Sequence, residues 1–195
     1  PAFRSSIVDA GAQSIMTAYN ALNGVPCTAN EFLLKDILRK EWKFPGWVVT
    51  DCGAIYDIYI NHKYVNDPVE AAAISLKAGT DLNCGSYFRL YLKKAYDRGL
   101  VTMNDIDQAL LRLFVSRIKL GVFDPPEMNP YSKIPRNVVD SKSHQELALE
   151  IARQSVVLLK NQQNMLPLQK SVESIAVIGP NANFCRFGTY SGKPS

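Results

Sequence analysis

The chain has 195 residues, enough for one domain or one and a part, since domains cluster near ~100–150 residues. Hydrophobic residues at 47% and charged residues at 21% exclude a disordered, collagen-like or low-complexity chain. The 22 Lys and Arg exceed the 18 Asp and Glu by +4, scattered along the chain, which leaves no footprint for nucleic acid, and no apolar run reaches the ~18 residues of a membrane-spanning helix.

The first element in chain order is the apolar run at 14–19, SIMTAY, bounded by Gly11 before it and by Asn20, Asn23, Gly24 and Pro26 after it. This predicts a buried strand followed by a loop. Asn30 then stands as N-cap for a helix over 31–41, with Phe32, Leu33, Ile37 and Leu38 at helical spacing and Phe44, Pro45 and Gly46 as the stop. Residues 47–50 form a second buried strand, ending at Asp51, Cys52 and Gly53. Asp67 and Pro68 predict the N-cap and first turn of a helix through Lys77, closed by Gly79, and a strand-like piece follows at 80–83. Two further helices are expected, over 87–98 closed by Gly99 and over 104–120 closed by Gly121. The second carries Ile106, Ala109, Leu110, Leu113, Phe114 and Ile118 on one face, as a cover for the strands.

Strand and helix alternate repeatedly, the pattern of an α/β fold with a parallel sheet or barrel, in which fully buried strands read as unbroken apolar runs. The composition then shifts. Residues 123–141 carry Pro125, Pro126, Pro130 and Pro135 and no helical or strand period, so they read as an extended linker. Beyond it the sequence predicts a long helix over 143–160, a loop around Leu166, Pro167 and Leu168, and a strand over 174–178 ending in the turn Gly179, Pro180 and Asn181. These would open a second α/β domain. The chain begins at Pro1 without a methionine or apolar leader, and it reads as a piece of something longer.

Asp51 is the residue that physics alone singles out, as a carboxylate at the carboxyl end of an apolar strand beside the small pair Cys52 and Gly53. In parallel α/β architectures that end of the strand is where ligands bind. The competing role is structural, because Asp after a strand often caps the next helix or closes an Asx turn. Asp81 stands in the same relation to its strand piece, and Tyr19 with Asn20 to the first strand, so polar groups from separate strand ends would meet at one rim. Cys27, Cys52, Cys84 and Cys185 lie far apart, with no CxxC and no nearby histidine pair. They indicate neither a zinc site nor a dense disulfide framework, and the redox compartment stays open.

The string GWVVTDCGAI (46–55), preceded by SIMTAYNALNGVPCTANEFLLKDILRKEW and followed by AAAISLKAGTDLNCG, resembles glycoside hydrolase family 3, its β-xylosidase and β-glucosidase branch above all. RLFVSRIKLGVFDPP, SVVLLKNQQNMLPL and IAVIGPNA extend the resemblance over nearly the whole chain in the family's order. The resemblance implies the C-terminal part of a (β/α)8-type barrel over 1–122, a linker over 123–142 and the start of an α/β sandwich domain over 143–195. It implies that Asp51 is the nucleophile of a retaining double displacement, that Tyr19 and Met16 line the sugar subsite, and that the Tyr19 hydroxyl lies near the nucleophile carboxylate. Cys52, where many β-glucosidases carry tryptophan, resembles the branch rich in xylosidases and arabinosidases, which favours xylosides over glucosides.

The family's lysine and histidine pair and its early-barrel aspartate would lie before Pro1, and its acid/base glutamate beyond Ser195, since neither Glu146 nor Glu150 stands in that context. The chain alone is therefore expected to be catalytically silent. The partner implied is a glycoside or oligosaccharide, with no metal, cofactor, nucleic acid or membrane, and the parent protein is expected to be secreted or periplasmic. The alternatives are a non-catalytic fragment or sugar-binding remnant, and a glycoside phosphorylase of the same family. A thiol hydrolase built on Cys52 with His62 or His144 has nothing in the sequence to fix its geometry. A nucleotide site at IAVIGPNAN lacks the further glycines of the phosphate fingerprint, and Pro180 removes a needed N–H.

Overall fold

In the computed structural model, which describes residues 1–185, 187–188 and 190–191, the chain begins with a helical segment, α1 (Ala2–Arg4), continued by wider turns over Ser5–Asp9. Strand β1 (Ser14–Thr17) follows, then a small antiparallel hairpin of β2 (Ala21–Leu22) and β3 (Val25–Pro26). Asn30 does cap the next helix, Phe32–Glu41, accepting at Oδ1 from the Leu33 N–H at 3.1 Å, and the helix is wound in wide π-type turns. It buries Leu34 and Leu38. Gly46 then leads into β4 (Trp47–Thr50), and only glycine fits there, because a Cβ would stand 2.1 Å from the Gln13 carbonyl oxygen.

β1 and β4 pair in parallel, with Met16 opposite Val49 and Thr17 opposite Thr50. The strand-like piece at 80–83 is reduced to one parallel bridge, Val49 to Leu82. Around this small sheet lie α2 (Ala54–Ile60), α3 (Pro68–Ala78), α4 (Tyr87–Asp97) and α5 (Met103–Lys119). Caps written in the sequence set their ends. Asp67 accepts from the Val69 and Glu70 N–H groups at 2.7 and 3.0 Å, Pro68 fills the first turn, and Gly79 closes α3. Thr102 and Asp105 form a reciprocal capping box, so α5 starts at Met103, one residue earlier than the apolar spacing indicated.

Buried Ile7, Leu34, Leu38, Phe44, Val48 and Ala78 pack β4 against the Phe32–Glu41 helix. Val69, Ala73, Leu76, Ala95, Val101 and Ala109 join α3, α4 and α5. α5 buries only Ala109, while Leu110, Phe114 and Ile118 are exposed, so the expected cover is supplied by a narrower stripe than its apolar face. The α/β character is clear: parallel strands with helices between them, the local form of a (β/α)8-type barrel.

The chain divides into two compact units, Pro1–Asn129 and Pro130–Ser195. In the second, α6 (Lys142–Ser155) stops five residues short of the expected end at 160, and Val156 turns to extended backbone at φ −80° and ψ 122°. The strand expected over 174–178 does not form, and Ile175, Val177 and Ile178 are exposed. A strand exists only as one side of a hydrogen-bonded ladder, and among the described residues of this unit no second strand flanks it.

Candidate active site

The main chain delivers Asp51 to the rim. Its N–H donates to the Thr17 carbonyl at 3.2 Å and the Thr50 N–H to the Leu82 carbonyl at 2.9 Å, so Asp51 is the first residue past the β4 ladder. Gly53 then turns the chain into α2 with φ at +86°, a conformation that costs most other residues energy. The Gly53 N–H donates to the Cys84 carbonyl at 3.0 Å, which ties this turn to the end of the neighbouring strand piece.

Asp51 is half-buried, and its Oδ1 accepts from the Cys52 N–H at 2.7 Å. Among the described residues no side chain caps α2, so the carboxylate is not spent on that helix. Cys52 is disulfide-bonded to Cys84 across a sequence separation of 32, with Cα atoms 4.4 Å apart. Beneath the disulfide, the buried Thr50 hydroxyl accepts from the Cys84 N–H at 3.0 Å and from Asn83 Nδ2 at 3.1 Å. The strand ends are thus joined by one covalent and several hydrogen bonds. A thiolate nucleophile at Cys52 is ruled out in this state, since its sulfur is already bonded.

The Tyr19 hydroxyl donates to the Cys52 carbonyl at 2.6 Å, whereas the sequence reading aimed it at the Asp51 carboxylate. The short Asp51 side chain is folded back on the Cys52 N–H, and the phenol meets the carbonyl of the next peptide, that of Cys52. His62, one turn beyond α2, places Nε2 2.7 Å from the Tyr19 carbonyl oxygen. Tyr19 and Asp51 are therefore brought together through Cys52. Met16 is 57% exposed on β1 and lines an apolar cavity of about 340 Å³ with Phe3, Ile15, Leu33, Ile37 and Trp42, a lining that includes neither Asp51 nor Tyr19.

Asp81 does not join the rim. It is buried, and its Oδ2 accepts from Arg39 and from the Val48 N–H, each at 2.8 Å, while Oδ1 accepts from Arg112 Nε at 2.8 Å. Arg39 also donates to the Phe44 carbonyl at 3.1 Å and to the Gly46 carbonyl. Burial pushes the Asp81 carboxyl above its ordinary value, against the pull of Arg112, the Val48 N–H and Arg39. The same burial draws Arg39 below its ordinary range. This is a structural knot joining the Phe32–Glu41 helix, β4 and α5. Sequence could not show this, because the arginines that hold Asp81 come from distant positions, 39 and 112.

The sequence reading did not find the Cys52–Cys84 bond, the Thr50 and Asn83 contacts, or His62 as a rim residue. The one signal within reach was that both cysteines sit just past strand ends that a parallel sheet sets side by side. Among the described residues no cluster of three or more His, Cys, Asp or Glu could hold a metal ion, and no helix is long and apolar enough to cross a membrane.

Residues 1–115 match the glycosyl hydrolase family 3 N terminal domain and residues 156–195 the glycosyl hydrolase family 3 C-terminal domain. The chain is 48% identical over 199 residues to a probable exo-1,4-beta-xylosidase of Aspergillus clavatus, covering 100% of this chain and 26% of that protein. It is 46% identical to probable beta-D-xylosidase 7 of Arabidopsis thaliana, again covering 100% of this chain and 26% of the relative. Among solved structures, it matches a GH3 exo-beta-xylosidase in complex with a xylobiose aziridine activity based probe, with TM-score 0.79, 40% identity, and 93% of this chain and 24% of that one covered. A beta-glucosidase from Listeria innocua in complex with glucose matches with TM-score 0.70 and 34% identity, covering 86% of this chain and 23% of that one. The chain spans about a quarter of the length of these relatives. With its N-terminal 115 residues matching one family model and its last 40 matching the other, the chain belongs to glycosyl hydrolase family 3.

Proposed function

We propose that this chain carries the nucleophile of an exo-acting enzyme that hydrolyses terminal β-linked sugars, xylosides ahead of glucosides, by a retaining double displacement, with Asp51 as that nucleophile. The observation that carries the reading is the position of Asp51: a half-buried carboxylate at the carboxyl end of a parallel strand, free of the helix behind it. The names of the relatives support the sugar class.

In the first step an Asp51 oxygen attacks the anomeric carbon and the glycosidic C–O bond breaks. The leaving oxygen takes a proton from an acid group, which we place outside this chain, and a covalent glycosyl-enzyme remains. In the second step water attacks the same carbon, gives its proton to that group, and releases the Asp51 carboxylate with the configuration retained. Met16 is assigned as an apolar wall of the sugar site and Tyr19 as a subsite residue. No metal or cofactor enters this scheme.

We place the domain boundaries at 1–122 for the barrel part, 123–142 for the linker and 143–195 for the start of the sandwich. The Cys52–Cys84 disulfide fits a protein of an oxidising compartment, in keeping with a secreted or periplasmic parent. The test is hydrolysis of an aryl β-xyloside by the full-length protein that carries this chain: Asp51→Ala is expected to lower kcat by at least ~10³-fold. Retention of more than a tenth of the activity would remove Asp51 from the nucleophile role.

A further inference from the structure

The backbone of one residue, Cys52, meets the Asp51 carboxylate, and that residue is gripped at several points. The Cys52 N–H donates to Asp51 Oδ1, the Cys52 carbonyl accepts from the Tyr19 hydroxyl, and the Cys52 sulfur is bonded to Cys84. Tyr19 itself is exposed, two residues past the end of β1. Its own carbonyl oxygen meets His62 Nε2 at 2.7 Å, across 43 positions of sequence.

His62 is well placed for this. Its N–H donates to the Asp57 carbonyl at 2.8 Å, the neighbouring Asn61 N–H does so at 3.0 Å, and the Asn61 side chain donates to the Asp57 carboxylate. The Tyr64 N–H closes the turn on the Ile58 carbonyl at 2.9 Å, and Ile58 is fully buried. The imidazole thus projects from a turn anchored in the core. A carbonyl oxygen can only accept, so His62 Nε2 carries the hydrogen in this contact.

We propose that His62 is a positioning residue for the glycosidase reaction: it holds Tyr19 by its carbonyl, Tyr19 holds the Cys52 carbonyl, and the Cys52 N–H on the other side of that residue's Cα aims the Asp51 carboxylate. The inference rests on the reading of Asp51 as nucleophile. What His62 supplies is a hydrogen-bond donor at a fixed reach, not a proton in the reaction. Misplacing a reacting atom by about an ångström costs up to ~10²-fold in rate, so a partly slackened tether is expected to cost ~10-fold.

The test is steady-state hydrolysis of an aryl β-xyloside by the full-length protein, with His62→Ala, His62→Gln, His62→Met, Tyr19→Phe, the His62→Ala/Tyr19→Phe pair and Asp51→Ala compared. His62→Ala is expected to lower kcat ~10-fold with KM within about twofold, and His62→Gln, which keeps a donor at similar reach, to restore most of it. The His62→Ala loss is expected to shrink to about twofold or less once Tyr19→Phe has removed the next link. Should the alanine variant not fold, the pair His62→Gln against His62→Met carries the same contrast, because methionine fills the space without donating. Full activity in His62→Ala or His62→Met overturns the proposal, and so does a His62→Gln variant as slow as the alanine one. Undiminished activity in Asp51→Ala would instead bring down the nucleophile reading, and this inference with it.

Discussion

Cys52 and Cys84, 32 positions apart in sequence, are bonded one residue past the candidate nucleophile Asp51, so the loop carrying that carboxylate is covalently tied to the end of the adjoining strand piece. Closing a loop of this length removes roughly 3 to 4 kcal/mol of conformational freedom from the unfolded chain. We expect Cys84→Ser in the full-length protein to lower unfolding free energy by ~2–4 kcal/mol and kcat several-fold, with the Gly53 N–H to Cys84 carbonyl bond left as the remaining tie. Chemical denaturation with parallel turnover measures both. An unchanged unfolding midpoint would show that the bond is not formed in the protein.

Asp81 is a stability residue. It accepts from Arg39, Arg112 and the Val48 N–H with its side chain fully buried. Asp81→Ala would leave two part-buried guanidinium groups without their counter-charge, at a cost of up to ~3–5 kcal/mol. The expected result is a destabilised enzyme whose remaining folded fraction has near-normal KM. A variant that is stable but inactive would instead return Asp81 to the active site.

Acid sensitivity follows from the helix caps. Arg98, through a hydrogen bond at 2.6 Å, and the Glu70 N–H hold the Asp67 carboxyl below its ordinary range. A carboxyl lowered on folding stabilises fully above its unfolded value of ~3.9, and the contribution is lost as pH falls through the lower folded value. Asp67→Asn keeps the cap and removes the titration. The melting-temperature difference between wild type and Asp67→Asn should therefore be constant above about pH 5 and shrink between about pH 4 and pH 2. Asp67 is part-exposed, so the difference is small. A gap that widens in acid would contradict the assignment.

Helix ends were the most legible part of this sequence. Asp67, Pro68 and Gly79 enclose α3, and Asn30 caps the Phe32–Glu41 helix, because capping chemistry is local. The parallel strands at 14–17 and 47–50 were readable as apolar runs, and Asp51 as the residue past the second. What escaped was non-local. Asp81 turns inward only because arginines from two helices converge on it, and the cysteine pair meets only once parallel register is set. The 174–178 segment had the composition of a strand, yet pairing decides whether a strand exists. The Tyr19 hydroxyl meets the Cys52 carbonyl and not the expected Asp51 carboxylate, a difference of one residue along the backbone.

The isolated 195-residue chain is expected to show no turnover of an aryl β-xyloside or β-glucoside, since the acid group is assigned to another part of the protein. Any turnover that disappears in Asp51→Ala would defeat that expectation.

The most direct measurement of the central claim is covalent trapping. The full-length protein treated with a xylobiose-type aziridine probe, of the kind named for the matching exo-beta-xylosidase structure, is digested and its labelled peptide sequenced by mass spectrometry. The account predicts one adduct, an ester on the carboxylate of Asp51, absent from Asp51→Ala. An adduct on any other residue, or labelling that survives Asp51→Ala, would contradict it.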